Sequence, residues 1–297
     1  MPQKGITVAF SPDSKLLATA AIGEPIHLWR SDGTLVKVLP PISRFSAHKL
    51  DFSPDGPKIV AVGMHLAILS GLDGRELQRF ALPNAGIWAV RFSPDGKIIA
   101  IGGQDTQIRL LLADRSARNP GNVLRYGESI FATFLGHQGF ISGVAFDPTG
   151  DLLASAAEDG TIRLWKLHHP LVTSLTAETG GLMQVAASSQ GDFRLVSVSR
   201  RGTTNIWQRN SAGRFNPSPD KIFFGHQSPI HDVTFSADGR FFATASRDGT
   251  AILWQADGTR LQVLPFKDRA EEQRSGGAEK RRGKGAEVTI KPCCCGI

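Results

Sequence analysis

The stretch Phe52-Ser53-Pro54-Asp55-Gly56 (FSPDG) decides how this chain is read, because it recurs. FSPDS occupies 10–14, FSPDG returns at 92–96, FDPTG stands at 146–150 and FSADG at 235–239. In this phrase Ser or Asp opens a type I turn, Pro presets φ at the second position, and Gly takes the last. The phrase therefore folds one strand back onto the next. Self-similarity at a near-fixed spacing marks a repeat architecture, in which no single unit can bury its apolar face alone.

Aligned on the residue before each turn, the units start their phrase at Phe10, Phe52, Phe92, Phe146, Ala187 and Phe235, so there are six. The spacings of 42, 40, 54, 41 and 48 residues centre on the roughly 40–45 residues of a four-stranded propeller blade. Before the turn run strands such as ISGVAF (141–146) and IHDVTF (230–235), and after it LLASAA (152–157) and FFATAS (241–246), with the apolar and small residues of half-buried or buried strands. A second turn, EDGT at 158–161 or RDGT at 247–250, carries the Asp-Gly hairpin signal. It leads into third strands that end on tryptophan: PIHLW (25–29), TIRLW (161–165), TTNIW (203–207) and TAILW (250–254). Leu111 and Ser70 hold that place in units three and two. Fourth strands follow at 34–39, 76–82, 129–135, 170–175, 221–224 and 260–266.

The expected fold is all-β: a six-bladed β-propeller of four-stranded antiparallel blades over 1–266, with blades at about 5–40, 41–83, 84–135, 136–176, 177–224 and 225–266. A polar insertion at 113–128 reads as a surface loop, and 267–297, charged and glycine-rich, as a disordered tail. The chain starts on a first strand and ends on a fourth, so no segment remains to be shared between the first and last blades. Either those blades meet by side-chain packing alone or the ring stays open without strand-exchange closure.

Composition narrows the class. At 41% apolar and 21% charged the chain is an ordinary globular protein. No run approaches the roughly 18 apolar residues of a membrane helix, and the opening MPQKGITVAF lacks a leader pattern; a cytoplasmic location and no membrane span are expected. The net charge of +7 is partly carried by the tail, with eight Lys/Arg against five Asp/Glu, and is too diffuse elsewhere for nucleic acid to be an expected partner. All three cysteines, Cys293, Cys294 and Cys295, lie in the tail. They lack zinc-ligand spacing, and the adjacent His168 and His169 would point to opposite sides of a strand, so neither metal nor cofactor is expected. The basic KRRGK at 280–284 upstream of the cysteines offers a lipid anchor, although the terminal CCGI fits prenylation poorly.

With Gly-His at 136–137 and 225–226, the SPDG-type turns, the Asp-Gly-Thr turns and the third-strand tryptophans in order, the chain resembles the WD-repeat β-propeller family over about 1–266. It departs from the family pattern in having Arg, Lys, Gln and Gln after Trp29, Trp165, Trp207 and Trp254. Unit two lacks both Gly-His and Trp, and unit five places Arg201 at the hairpin aspartate. Blades two and five are therefore expected to be less rigid.

His137, Ser155, Asp159 and Trp165 in unit four, and His226, Thr244, Asp248 and Trp254 in unit six, resemble a hydrolase triad in residue type. A catalytic set occurs once, at a unique cleft, whereas this one recurs with the repeat. The resemblance implies a structural network tying strands within a blade, and replacing Asp159 or Asp248 by Ala is expected to cost about 1–3 kcal/mol. By position, the resemblance also implies one face lined by His48, Trp88, Ser142, Met183 and His231 and by Gln104, Glu158, Arg200 and Arg247. Trp and Arg favour protein recognition, against which stands burial of Trp88 under a loop.

The function implied is a non-catalytic scaffold binding protein or peptide partners, in a regulatory or signalling assembly. The alternatives are an enzyme acting at the central channel through side chains such as His48, His231 and Glu158, or the propeller portion of a larger regulatory protein.

Overall fold

The FSPD-type phrases close as turns in all five units that carry them. The N–H of the fifth residue donates to the carbonyl of the second, as from Gly56 to Ser53 at 2.8 Å and from Gly96 to Ser93 at 2.9 Å. Gly56, with φ +88°, and Gly96, with φ +71°, show why glycine recurs there. In the first unit Ser14 holds the same left-handed conformation at φ 58°. The turn serine does further work, because Ser93 Oγ donates to Asp95 at 2.6 Å and accepts the N–H of Ile98 at 2.9 Å.

The computed structural model describes residues 6–265 except 22–23, 40–46, 83–85, 114–129, 168–171, 178–179, 189–193 and 237. The insertion expected at 113–128 beyond Ala113, His168 and His169, and the tail with its three cysteines lie outside the described residues.

Six separate antiparallel sheets of four strands, each in chain order, make up the described protein. Blade one holds β1 (Ile6–Phe10), β2 (Leu16–Ala21), β3 (His27–Arg30) and β4 (Leu35–Val38); blade two holds β5 (Lys49–Phe52), β6 (Lys58–Val62), β7 (Leu66–Gly71) and β8 (Glu76–Ala81). Blade three holds β9 (Ile87–Phe92), β10 (Ile98–Gly103), β11 (Ile108–Leu112) and β12 (Ile130–Phe134); blade four holds β13 (Ile141–Phe146), β14 (Leu152–Ala157), β15 (Thr161–Lys166) and β16 (Val172–Thr176). Blade five holds β17 (Leu182–Ala187), β18 (Arg194–Ser199), β19 (Thr203–Gln208) and β20 (Lys221–Phe224); blade six holds β21 (Ile230–Phe235), β22 (Phe241–Ser246), β23 (Thr250–Gln255) and β24 (Arg260–Pro265). The first strands β1, β5, β9, β13, β17 and β21 pack each against the next and surround the axis.

The core lies between blades rather than within them. One face of each sheet packs on the opposite face of the following sheet, giving apolar clusters at the boundaries one/two, two/three, three/four, four/five and five/six. In blade four all six residues of β14 are buried, because both faces have a neighbour. Although Ser70 stands at the missing tryptophan of blade two and Arg201 at the missing aspartate of blade five, β6, β7, β18 and β19 are buried along nearly their whole length.

Between blades six and one this pattern stops. Leu50, Val90, Val144, Val185 and Val233 hold one position of the first strand and are at most 3% exposed, whereas Val8, in the same position of blade one, is 48% exposed. Phe10 is 62% exposed against 4% for Phe52 and 6% for Phe92. Trp29 is half-buried while Trp165, Trp207 and Trp254 are buried. On the facing side, Phe241, Ala243, Ala245 and Leu253 are half-buried where Leu152, Ala154, Ala156 and Leu164 of blade four are buried. Among the described residues the two terminal blades share no strand and each leaves one face incompletely covered, so the ring is open at this seam.

Candidate functional site

Two kinds of polar constellation stand out, one inside the blades and one around the axis. Within blade four, the Asp159 carboxylate can only accept and the Trp165 Nε1–H can only donate, so for a neutral imidazole the direction of the chain between them follows. Trp165 Nε1 donates to Ser155 Oγ at 2.9 Å, Ser155 donates to His137 Nε2 at 2.7 Å, and His137 Nδ1–H donates to Asp159 at 2.9 Å. Asp159 also accepts from the N–H groups of Gln138 and Thr161 at 2.8 and 2.9 Å and from Thr161 Oγ1 at 2.7 Å. Blade six repeats the chain through Trp254, Thr244, His226 and Asp248, with 2.9, 2.8 and 3.0 Å between them. Among the described residues of blade one, a Trp29–Thr19 bond of 2.9 Å makes the first step.

Serine, histidine and aspartate here stand in the bonding order of a hydrolase triad. Ser155 is nevertheless wholly buried and Thr244 is 1% exposed, each with Trp Nε1 on its other side, which leaves no room for a substrate at the hydroxyl. What the arrangement does is tie the loop before the first strand to the hairpin between the second and third strands. Burial pushes the Asp159 carboxyl up, but the bonds from His137, Thr161 and the Gln138 N–H outweigh this and hold it well below the usual carboxylate range. For Asp248 the same opposition, burial against bonds from Thr250, the Gln227 N–H and His226, leaves a pKa of about 2.

A depressed folded-state pKa contributes stability above the unfolded value, about 4, that is lost as pH falls through the folded value. The parent protein should therefore lose melting temperature between about pH 4 and 2 more steeply than Asp248→Asn, followed by circular dichroism. Parallel curves for the two proteins would remove Asp248 from the acid response.

The second constellation surrounds a cavity of about 830 Å³ at one end of the axial channel. His48, Trp88, Gln104, Ser142 and Glu158, from blades two, three and four, all line it, and so do Met183, Arg200, His231 and Arg247, from blades five and six. The structure thus brings together all nine residues expected on one face. His48 and Trp88 stack with ring centroids 4.5 Å apart and planes 15° from parallel, and the indole remains 39% exposed rather than lying under a loop. Burial lowers the His48 imidazole pKa. Gln104 Oε1 accepts from the Gly86 N–H at 3.3 Å, and Glu158 bonds to Arg200 across the boundary between blades four and five. Ser142 is spent on structure, donating to the carbonyl of Leu182 at 2.7 Å and so tying blade four to blade five. Among the described residues no hydrogen bond joins any two of His48, His231 and Glu158.

Lys49, Phe140 and Asp232 also line the cavity, although strict alternation along the strand gives no hint of Lys49 or Asp232. The register of β21 on β22 shifts between Ile230 and Asp232, and a bulge turns neighbouring side chains toward the same side. His231 and Asp232 consequently both reach the axis. Lys49 Nζ donates to Asp232 at 3.3 Å, linking the two blades that flank blade one, and Gln184 Nε2 donates to the same oxygen at 3.3 Å. Deeper in, Asp51 accepts from Arg91 Nη1 at 3.1 Å and from the Phe92 N–H at 2.7 Å. Charged residues inside otherwise apolar first strands, in KLDF and IHDVTF, were the available signal.

A family model for the WD domain, G-beta repeat, matches residues 74–110, 128–166 and 217–255, each match ending on the third strand of a blade. Among curated proteins, the guanine nucleotide-binding protein subunit beta of Nicotiana tabacum is 28% identical over 226 residues, covering 73% of this chain and 58% of its own length. The subunit of the same name from Arabidopsis thaliana is 27% identical with the same coverages, and that of Oryza sativa subsp. japonica is 25% identical. The chain spans little more than half the length of these relatives. With six four-stranded blades built on recurrent turns and the His–Asp–Trp bonding chains in two of them, the chain is a β-propeller that carries WD repeats.

Proposed function

We propose that the protein is a non-catalytic scaffold whose channel mouth holds a protein or peptide partner within a regulatory or signalling assembly. The observation that carries this reading is the exposed Trp88, stacked on His48 and set among side chains from all six blades around one concavity. A rigid aromatic with a polar rim at a concave centre is the kind of anchor that dominates recognition. The likeness to proteins named as subunits of a guanine nucleotide-binding protein supports a role in an assembly.

The test is a quantitative pull-down comparing the parent with the double variant Trp88→Ala/Arg247→Ala, both shown to melt alike. Partner recovery is expected to fall at least about tenfold, as loss of a hot-spot pair does. Unchanged recovery would reject this face.

A further inference from the structure

The cavity wall is divided by chemistry. Blades two to four supply the His48–Trp88 stack and Phe140, which is 45% exposed. Blades five and six supply Arg200, Arg247 and His231, and Lys49 reaches toward them from blade two. Three cations and two carboxylates line the cavity. Asp232 engages Lys49 and Glu158 engages Arg200, and Arg200 keeps 60% of its side chain exposed while doing so. Among the described residues no carboxylate or other acceptor pairs with the Arg247 guanidinium. The His231 imidazole reports the resulting field: burial lowers its pKa first, and Arg247, Lys49 and Arg200 lower it further against the opposing Asp232.

We propose that the mouth selects a peptide carrying an anionic side chain, carboxylate or phosphoryl, seated on Arg247 with Arg200 beside it, next to an apolar side chain laid on the Trp88–His48 shelf. This rests on reading the mouth as a partner surface and adds what that partner must carry. A guanidinium presents a fork of donors matched to the oxygens of either anion. Bound there, the anion supplies the negative charge that the cavity lacks and relieves the repulsion around His231. An extended peptide with its anionic residue two positions from its apolar one places both on the same side, about 7 Å apart.

The experiment uses the full chain and fluorescein-labelled nonapeptides in a Gly/Ser background, with Leu at position 4 and Glu, phosphoserine, Gln or Lys at position 6, measured by fluorescence anisotropy. The Glu or phosphoserine peptide is expected to bind at least tenfold tighter than the Gln peptide, with the Lys peptide weakest, and the tighter of the two anions identifies the source. Arg247→Gln should bring the anionic peptides down to the level of the Gln peptide without changing the melting temperature, and Arg247→Lys should restore part of the difference. Trp88→Ala should weaken all four alike. If the Glu, phosphoserine and Gln peptides bind equally and Arg247→Gln changes nothing while Trp88→Ala weakens all four, anion selection is overturned and the mouth remains the partner surface. If no peptide binds, or Trp88→Ala is also without effect, both readings fall.

Discussion

Val185→Asp is expected to abolish cooperative folding at ordinary temperature, while Val8→Asp leaves the protein folded. The two valines hold the same position of the first strand, but Val185 is fully buried between blades four and five and Val8 is 48% exposed at the seam. An aspartate at 185 would carry an unpaired carboxylate into an apolar interface, at a cost of more than about 4 kcal/mol, a large part of the roughly 5–15 kcal/mol that holds a domain together. At position 8 the carboxylate stays in water, and the loss should be under about 1 kcal/mol. Thermal melts followed by circular dichroism read both. Comparable losses at the two sites would mean that blade six covers Val8 in solution and that the ring is shut.

Asp159→Ala is expected to lose about 3 kcal/mol, the upper end of the range anticipated from the sequence. The carboxylate receives four hydrogen bonds, from His137, Gln138 and twice from Thr161, and its side chain is 11% exposed. Removing it leaves the His137 Nδ1–H, whose ring is wholly buried, with only the longer 3.3 Å contact to Thr161 Oγ1, and through His137 loosens Ser155 and Trp165; buried donors left poorly paired cost about 1–3 kcal/mol each before relaxation. Urea unfolding of variant and parent measures the difference, and equal midpoints would sink the claim that this chain of bonds stabilises the blade. If the set were instead catalytic, the same substitution would leave stability largely intact.

The blade count was legible because turn chemistry is local. Pro54 and Gly56 need no distant contact to bend the chain, and five copies of their phrase announce six sheets once Ala187 is recognised in the sixth place. The intrablade bonds were legible for a related reason: His137, Asp159 and Trp165 recur as His226, Asp248 and Trp254 at the same spacings. The mouth was legible in position but incompletely in membership. Lys49 and Asp232 follow His48 and His231 directly, and only the bulge in β21, a feature of pairing rather than of residue order, explains how Asp232 shares the axis with its neighbour. Whether blades one and six would touch was not legible at all. The arc swept by six sheets depends on how far each turns relative to the last, and that is set by interblade packing such as Leu50 and Phe52 against Ala18 and Ala20.

The open seam changes the kind of object this protein is. A closed ring has no first member, so no blade can leave without breaking two interfaces. Here the sheets form a linear array bent into an arc, and stability follows the logic of a solenoid, a sum of unit terms and nearest-neighbour terms with weak links at the ends. Blade six borders the seam with the His226–Asp248 chain behind it, whereas the described residues of blade one show a Trp29–Thr19 bond. With Val8 and Phe10 exposed, unravelling is expected to start at blade one, and the Lys49–Asp232 bond, which reaches from its neighbour across the axis, is the clasp of an otherwise unfastened bracelet.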